Sequence, residues 1–250
     1  MLDYRIVVPS RRRAHNMKKL MSLVPTATVT VEDCEFDDYA KAGVPEAQIL
    51  PHPKLTTIGA IRQWVLDEIP NRSVVQLDDD FQYVTCLAWA KARRITDPQK
   101  IIALIENGVI VSNDLGVDLF AWSHVGNPTF FNACQPFTLS AIGYQAFIVT
   151  GRRLRFETEG FNFREDDDLN LQAFLQSRVI VKDARFHWNF GQINEGAGGC
   201  QGQRNKELLE LNNREIKQKW GKYVQIREAE GSIEEEISIK VDRKSPLAVV

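Results

Sequence analysis

The sequence is poor in the features that build disulfide frameworks, zinc sites and membrane anchors. Its 250 residues include four cysteines, which lie far apart and form no Cys-x-x-Cys pair. We therefore expect reduced thiols in a cytosolic protein, with neither a disulfide framework nor a zinc site. No apolar run approaches the roughly 20 residues that span a bilayer. Residues 1–5 do not resemble a signal peptide, so we expect a cytoplasmic location and no membrane contact.

An excess of charge of one sign is missing as well. The 31 Lys and Arg residues nearly balance the 33 Asp and Glu residues, for a formal net charge of −2. This balance argues against a protein that coats nucleic acid non-specifically, but it permits a local basic face. With 44% hydrophobic residues, the chain can bury a substantial core. Because it shows no internal repeat and no clear linker, we expect a single domain over residues 1–225 and a charged tail over 226–250.

The first third of the chain alternates strands with helices. Strands are predicted at 4–8, 26–31, 49–50 and 73–77, and helices at 11–23, 35–42 and 57–69. Ser10 is expected to cap the first helix, and Gly43 and Pro70 to end the other two. Strands that alternate with helices form right-handed βαβ units. The pattern therefore predicts an α/β fold with a central, mostly parallel sheet flanked by helices.

The elements after residue 80 are less clearly marked. Residues 81–90 fit either a strand or a helix. Helices are predicted at 98–107, ended by Gly108, and at 164–177 and 205–220. Strands are predicted at 141–150 and 179–181, a glycine-rich loop at 191–202, and a loose hairpin or partly disordered tail after 226.

Three consecutive acids, Asp78, Asp79 and Asp80, follow the apolar strand at 73–77. In open α/β sheets, ligands bind beyond the carboxyl ends of the strands. Crowded like charges are costly unless a cation or a donor-rich ligand neutralises them. Mg²⁺ and Mn²⁺ prefer carboxylate oxygens together with substrate phosphates. An isolated triplet would fit a solvated acidic turn, but the segments described next favour a metal site.

A basic segment follows the first strand, at the same predicted edge of the sheet. Pro9 and Ser10 lead directly into Arg11, Arg12 and Arg13. A helix N-terminus with cationic side chains beside it is an anion site. Three arginines in a first turn oppose the helix dipole, which favours an anionic partner over a simple solvated turn. That partner is either a diphosphate or a nucleic-acid backbone.

Two further acidic segments fit a binding site. Glu32 and Asp33 end the second strand, where a carboxylate could accept a hydrogen bond from a base or a ribose hydroxyl; Asp33 fits a helix cap equally well. Glu165 and Asp166 open a later helix, where the dipole alone also favours acids. A carboxylate close to an acceptor hydroxyl can take its proton, a role worth about a hundred- to ten-thousand-fold in rate.

In this order, the segments resemble those of GT-A glycosyltransferases. Residues 7–10 resemble the opening nucleotide-binding segment, Asp78–Asp80 the Asp-x-Asp metal motif, and Glu165–Asp166 the Glu-Asp acceptor-side motif. The Val-Pro-Ser-Arg-Arg-Arg run, the Leu-Asp-Asp-Asp-Phe run and the glycine-rich segment 196–199 are similar to those of the TET/JBP-associated glycosyltransferases of phage genomes. The resemblance spans residues 4 to 205.

The resemblance implies sugar transfer from a nucleotide-diphosphate sugar, with UDP the expected nucleotide. The acceptor would be the hydroxymethyl group of 5-hydroxymethylcytosine or 5-hydroxymethyluracil in phage DNA. Residues 1–80 would form the nucleotide-binding half and residues 81–225 the acceptor-binding half.

The resemblance also assigns roles to single residues. Asp80 would bind Mn²⁺ or Mg²⁺, Asp78 would share the metal or contact the ribose, and His187 would be a further ligand unless it is structural. Asp166 would be the general base of an inverting reaction, and Glu165 would orient the acceptor or the sugar. The remaining candidates for donor binding are Pro9, Ser10, Arg11, Arg13, Glu32, Asp33, Asp79, Gly198 and Gly199.

Other interpretations stay open at this point. The same fold could glycosylate a protein, a lipid or a polysaccharide, or the chain could be a catalytically silent nucleotide-sugar or DNA-binding module. A nucleotidyltransferase also uses carboxylates and a phosphate site, but no Gly-rich pyrophosphorylase loop follows the first strand. Tryptophans could stack on bases and basic side chains could contact phosphates. The candidates for these DNA contacts are Lys91, Arg93, Arg94, Arg152, Arg153 and Arg155, with Trp89, Trp122 and Trp188.

Overall fold

The computed structural model describes residues 2–88, 91–123, 126–139, 145–160, 163–191, 206–228 and 235–241. The strands are β1 (Tyr4–Pro9), β2 (Thr28–Glu32), β3 (Ile49–His52), β4 (Ser73–Leu77), β5 (Tyr83–Cys86), β6 (Arg93–Ile95), β7 (Leu119–Ser123), β8 (Phe137–Thr138), β9 (Ala146–Thr150), β10 (Val181–Asn189), β11 (Val224–Glu228) and β12 (Glu235–Ile239). The helices are α1 (Met17–Leu23), α2 (Phe36–Lys41), α3 (Ile58–Glu68), α4 (Pro98–Leu115), α5 (Glu165–Gln176) and α6 (Lys206–Trp220).

One sheet forms the centre of the described structure, with the strand order β3-β2-β1-β4-β9-β7-β10-β5-β6, and β8 pairs with β10. Strands β3, β2, β1 and β4 are mutually parallel. Because β9 is antiparallel to both β4 and β7, strands β4 and β7 run in the same direction, and β10 is parallel to β7. The predicted α/β class, with a largely parallel central sheet, is therefore confirmed.

Helices cover both faces of this sheet. Side chains of one face, such as Val75 and Leu77, belong to the apolar cluster that includes residues of α1, α2 and α4. The alternate residues, such as Val74, pack in a second cluster with α3 and α5. This alternation follows from the strand period of two residues. Asp78 is an even number of residues after Val74, so the same alternation places it on the side of α3 and α5.

Two predicted helices differ from the observed ones. The helix predicted at 11–23 begins only at Met17, after a 3₁₀ turn at Ala14–Asn16, and Ser10 does not cap it. Arg12 has a left-handed φ of 55°, which breaks the helix at this point. Helix α4 passes through Gly108 and ends at Gly116 (φ 62°). Gly108 instead permits close packing, because a Cβ there would lie 2.8 Å from Trp122.

Other elements complete or extend the prediction. Strand β7, which the sequence did not reveal, is fully buried, and β10 is longer than the segment 179–181. The segment 81–90 contains β5, with residues 89 and 90 outside the described structure. Strands β11 and β12 pair antiparallel, which agrees with the hairpin of the two alternatives for the tail, and the predicted boundary at 225/226 falls inside β11. No described helix has the length and apolarity to cross a membrane, and Cys34, Cys86 and Cys134 carry free thiols.

Helix α6 fixes the position of α5. Asp168 on α5 is fully buried and accepts a hydrogen bond from Trp220 Nε1 at 2.6 Å. Lys219 Nζ lies 3.0 Å from the same oxygen, Asp168 Oδ1. Arg164, just before α5, donates to the buried Asn213 at 2.8 Å. These contacts hold the first turn of α5 where the acidic segment 165–168 begins.

Candidate active site

The acidic triplet lies at the carboxyl end of β4, as predicted, but its three carboxylates have different surroundings. Strand β4 is buried along its length, and the backbone N–H of Asp78 bonds to the carbonyl of Gln145. Side-chain exposure is 37% for Asp78, 6% for Asp79 and 24% for Asp80. The triplet is therefore not a uniformly solvated turn.

Asp79 holds the segment that follows β1. Its Oδ2 accepts a hydrogen bond from Ser10 Oγ at 2.6 Å, and its Oδ1 lies 2.9 Å from Arg13 Nη1. The Ser10 hydroxyl also bonds to Tyr39 at 2.7 Å. Because Ser10 and Asp79 are both buried, their contacts tie the end of β1 to the end of β4. The donor-binding roles predicted for Ser10, Arg13 and Asp79 stay predictions.

Asp78 is joined to the second acidic segment through Arg62 of α3. Arg62 Nη2 lies 3.3 Å from Asp78 Oδ1, and Arg62 Nη1 lies 3.2 Å from Glu165 Oε1. Both Arg62 and Glu165 are 7% exposed. The carboxylates predicted for the donor side and for the acceptor side thus meet at one guanidinium.

The Arg62 guanidinium sits against aromatic rings and a tight helix contact. Its Cζ lies 5.2 Å from the centroid of Phe147 and 5.9 Å from that of Phe156, within the range of cation–π contact. Close to it, α3 packs on the residues before and at the start of α5. A Cβ at Gly59 would lie 2.2 Å from the Glu157 carbonyl and 3.3 Å from Glu165 Cβ. The site is therefore closely packed on this side.

Asp80 offers a carboxylate oxygen for a ligand. Its Oδ1 is buried and has no hydrogen-bond partner among the described residues, while its backbone carbonyl accepts from Gly191 N at 3.1 Å. A Cβ at Gly191 would lie 3.0 Å from Asp80 Oδ2, so glycine leaves room beside this carboxylate. Burial and the charge of Asp79 raise the pKa of Asp80. An unpaired buried carboxylate oxygen fits the donor set of a hard divalent cation.

The described residues do not assemble a complete metal cage. No group of three or more His, Cys, Asp and Glu side chains among them is arranged to hold a metal ion. His187 lies on β10 with Nδ1 3.2 Å from the Ser123 carbonyl, and a Cβ at Gly126 would touch its ring at 2.7 Å. Burial lowers its pKa, which favours the neutral ring. Its role as a metal ligand stays a prediction.

The four carboxylates of the acidic segment of α5 have different nearest partners. Glu165 faces Arg62, Asp167 pairs with Arg164 at 3.4 Å, and Asp168 is bound by α6. Asp166 Oδ1 accepts from the N–H of Asp167 at 2.7 Å. Burial, followed by the charges of Glu165 and Asp167, raises the pKa of Asp166 well above its ordinary value. Asp166 is therefore a stronger proton acceptor, when ionised, than an ordinary aspartate.

The charged cleft beside the ends of β1 and β2 has a volume of about 550 Å³. It contains Glu32 but not its neighbour Asp33, which is exposed, and Pro9 is not among its residues. Arg12 is held here because its backbone N–H donates to Glu35 at 2.7 Å. The lining residues are Arg11, Arg12, Ala14, His15, Glu32, Cys34, Glu35, Asp38, Tyr39 and Lys54.

The candidates for DNA contact are not gathered in one place. Trp122 and Trp188 are each 2% exposed, and their ring centroids lie 4.6 Å apart. They belong to the core, so the prediction that they stack on bases is wrong. Arg153 pairs with Asp118 at 2.8 Å. It follows the last residue of β9, which lies beside the first residue of β4. That end is opposite to the Asp triplet.

The other arginines after β9 are bound within the protein, while β6 exposes basic residues. Arg152 donates to the carbonyls of Ile69 and Asn71, and Arg155 pairs with Asp67 at 3.0 Å. Arg93 and Arg94 are exposed on β6, and Lys91 just before it is exposed too. Trp89, Gly198 and Gly199 lie outside the described residues.

Arg62 is the residue of the site that the sequence interpretation missed. It lies four residues after Ile58 and three before Val65, inside the apolar stripe that predicted α3. An arginine in such a stripe needs a buried anionic partner. That signal was present in the sequence, but the partners are distant along the chain and only the fold identifies them.

Comparison with known proteins supports the fold. No family model and no curated protein matches the chain. A mannosyltransferase, PcManGT from Pyrobaculum calidifontis in complex with GDP-Man and Mn²⁺, is similar at 13% identity with a TM-score of 0.50, covering 86% of this chain and 64% of that one. TarS 1–349 of S. aureus matches at 12% identity with a TM-score of 0.49, covering 86% and 66%.

The chain therefore spans slightly less than two thirds of the length of these two proteins. Identities this low show the fold and not the activity, since one fold hosts many functions. The chain has an α/β fold of the GT-A type.

Proposed function

We propose that the protein transfers a sugar from a nucleotide-diphosphate sugar to the hydroxymethyl group of a modified pyrimidine in DNA, with a divalent cation at Asp80. One observation carries this proposal. Asp78 at the end of β4 and Glu165 at the start of α5 both contact Arg62, at 3.3 Å and 3.2 Å. A transferase needs its donor-binding and acceptor-activating groups in one cleft, and these contacts support that arrangement.

The donor side rests on Asp80 and on the charged cleft. The buried, unpartnered Oδ1 of Asp80 fits a divalent cation, which would stabilise the departing diphosphate as a Lewis acid. Arg11, Arg12 and Lys54 give the cleft cationic groups for phosphates, and Glu32 supplies an acceptor for a base or ribose. The similar mannosyltransferase structure contains GDP-Man and Mn²⁺, which supports this class of donor and metal.

The acceptor side rests on Asp166. The acceptor oxygen attacks the anomeric carbon, a new C–O bond forms, and the bond to the diphosphate oxygen breaks. The proton of the acceptor hydroxyl passes to Asp166, whose raised pKa suits it to this role. Glu165, held by Arg62, would orient the acceptor or the sugar. Inversion at the anomeric carbon follows from this single displacement.

The DNA acceptor rests on the sequence resemblance. The Val-Pro-Ser-Arg-Arg-Arg and Leu-Asp-Asp-Asp-Phe runs are similar to those of enzymes that act on hydroxymethylpyrimidines in phage DNA. The exposed residues Lys91, Arg93 and Arg94 at the β6 edge supply a local basic surface. Because these cationic side chains would neutralise phosphates, binding should be strongly salt-dependent.

Mass spectrometry tests the proposal directly. Oligonucleotides that contain 5-hydroxymethylcytosine or 5-hydroxymethyluracil are incubated with the protein, Mn²⁺ and a panel of UDP- and GDP-sugars. We expect one of them to gain the mass of the sugar, while unmodified DNA gains none. Transfer to a saccharide or peptide but not to DNA would retain the glycosyltransferase and reject the DNA acceptor. Transfer to no acceptor, together with no binding of either nucleotide, would reject both.

A further inference from the structure

Arg62 connects two carboxylates that belong to different parts of the proposed reaction. Its two terminal nitrogens face Asp78 Oδ1 at 3.3 Å and Glu165 Oε1 at 3.2 Å. We propose that Arg62 is a positioning residue that couples nucleotide binding at Asp78 to the placement of Glu165. This inference rests on the proposed function, because it takes Asp78 as part of the donor site.

Asp78 and Glu165 pair with the same guanidinium, so each of these carboxylates competes for one cation. A ligand that contacts Asp78 changes its share of Arg62, and Glu165 must then gain or lose interaction with the guanidinium. Coupling of this kind is reciprocal. If a ligand at Asp78 changes the free energy of the Arg62–Glu165 contact, then loss of that contact changes the affinity for the ligand by the same free energy.

The residues packed around Arg62 restrict movement of its guanidinium toward either carboxylate. Its guanidinium lies over Phe147 and Phe156, and Arg62 is buried. Gly59, one turn earlier, packs against Glu165 Cβ. A planar guanidinium can hold two carboxylates at once through its fixed fork of donors, whereas a lysine ammonium is a single point charge. Arginine is therefore required for the two-sided contact.

A merely structural ion pair makes a different prediction. If Arg62 only stabilised the fold, its replacement would lower the melting temperature, and Glu165 would have no influence on a nucleotide that it does not touch. The distinguishing observable is therefore the effect of Glu165→Gln on nucleotide affinity, measured with and without Arg62. This measurement needs no acceptor, so it does not depend on the identity of the acceptor.

The experiment is isothermal calorimetry of UDP and of GDP, each with Mn²⁺, on the full chain. In the presence of Arg62, Glu165→Gln should weaken binding by at least about twofold, because the guanidinium then holds Asp78 more strongly against the nucleotide. In an Arg62→Met background the same change should leave affinity unaltered within error. Arg62→Lys keeps a cation and serves as the second background if Arg62→Met does not fold. In it, the effect of Glu165→Gln on nucleotide affinity should be smaller than in the presence of Arg62. Arg72→Met, at an exposed arginine just before β4 and at the edge opposite to the Asp triplet, should leave nucleotide affinity and the effect of Glu165→Gln unchanged.

The outcomes separate the two claims. If neither nucleotide binds the unmodified protein, the donor site of the proposed function is wrong. If a nucleotide binds and Glu165→Gln has no effect on it, or has the same effect without Arg62, the positioning role of Arg62 is overturned and the proposed function stands. A melting curve for each variant confirms that the compared proteins are folded.

Discussion

Asp78 and Glu165 contact two nitrogens of one guanidinium, although one follows strand β4 and the other begins helix α5. Burial raises the pKa of both, and Arg62 acts in the opposite direction. For Asp78 the result is a pKa of about 7. Two acidic segments that are distant in the sequence are therefore parts of one electrostatic unit.

The cation-binding role of Asp80 predicts a selective loss of nucleotide binding. Asp80→Asn keeps the shape of the side chain but removes the charge that a divalent cation needs. We expect Mn²⁺-dependent affinity for the nucleotide sugar to fall by at least about tenfold, or about 1.4 kcal/mol, while the melting temperature changes little. Calorimetry with and without Mn²⁺ measures this. Asp114→Asn, at an exposed position of α4, is the control, and equal affinity of the two variants would remove Asp80 from the metal site.

The role of Asp166 predicts a separation of binding from transfer. Asp166→Asn should retain donor binding and lose about a hundred- to ten-thousand-fold in transfer rate, because an amide cannot take the proton. At neutral pH the same variant should be at least as stable as the parent, since ionised Asp166 is costly in its buried, acidic surroundings. Single-turnover transfer and thermal melting measure the two effects. Transfer at the parent rate would place the base elsewhere.

The raised pKa of Asp166 predicts the acid limb of the pH profile. The base works only when ionised, so kcat/KM should fall as the pH decreases through the raised pKa of Asp166. The limb should therefore lie above the ordinary aspartate pKa of 3.8. Rates in overlapping buffers at constant ionic strength locate it. A rate that stays constant down to pH 4 would contradict the assignment, provided that the fold persists in the same buffers.

Asp79 predicts a structural effect that reaches the donor side. Asp79→Ala removes the acceptor of the Ser10 and Arg13 bonds, at 2.6 Å and 2.9 Å. Loss of buried hydrogen bonds to a charged group costs about 1.5–3 kcal/mol each in general. For the two bonds together, we expect the unfolding free energy to fall by about 3–6 kcal/mol and nucleotide affinity to fall with it. Denaturant unfolding against the Asp114→Asn control measures the first effect, and an unchanged midpoint would contradict it.

Gly108 predicts a packing effect away from the site. Alanine normally favours a helix over glycine by about 1 kcal/mol, but a Cβ at this position would lie 2.8 Å from Trp122 and 3.0 Å from Phe120. We expect Gly108→Ala to lower the unfolding free energy by about 1 kcal/mol net, because overpacking costs about 1–3 kcal/mol. Asn107→Ala, on the exposed side of α4, should not destabilise. A stabilised Gly108→Ala would show that the rings move aside.

Local patterns predicted the first third of the chain well. The alternation of strands and helices up to Leu77 predicted that β1 to β4 are parallel, and placed Asp78 to Asp80 at their carboxyl edge. Gly43 ends the turn after α2 with a φ of 96°, as its position predicted. These features depend on neighbours in the sequence.

Features that depend on distant partners were not predicted. Strand β7 is a short apolar run whose type is fixed by β9 and β10 on either side. The segment after β1 is held by Asp79 and Tyr39, so it does not continue as a helix from Ser10. Arg62 acquires its meaning only when α3 places it between Asp78 and Glu165. Propensity alone cannot report such contacts.

The position of Mn²⁺ in a crystal of the protein with a nucleotide diphosphate would decide whether Asp80 binds the cation of the donor site. Anomalous scattering identifies the ion without reference to the surrounding density. We expect a peak beside Asp80, with the β-phosphate of the nucleotide next to it and Asp166 facing the same cleft. A peak distant from Asp80, or a nucleotide bound where Asp166 cannot face its β-phosphate, would contradict this expectation.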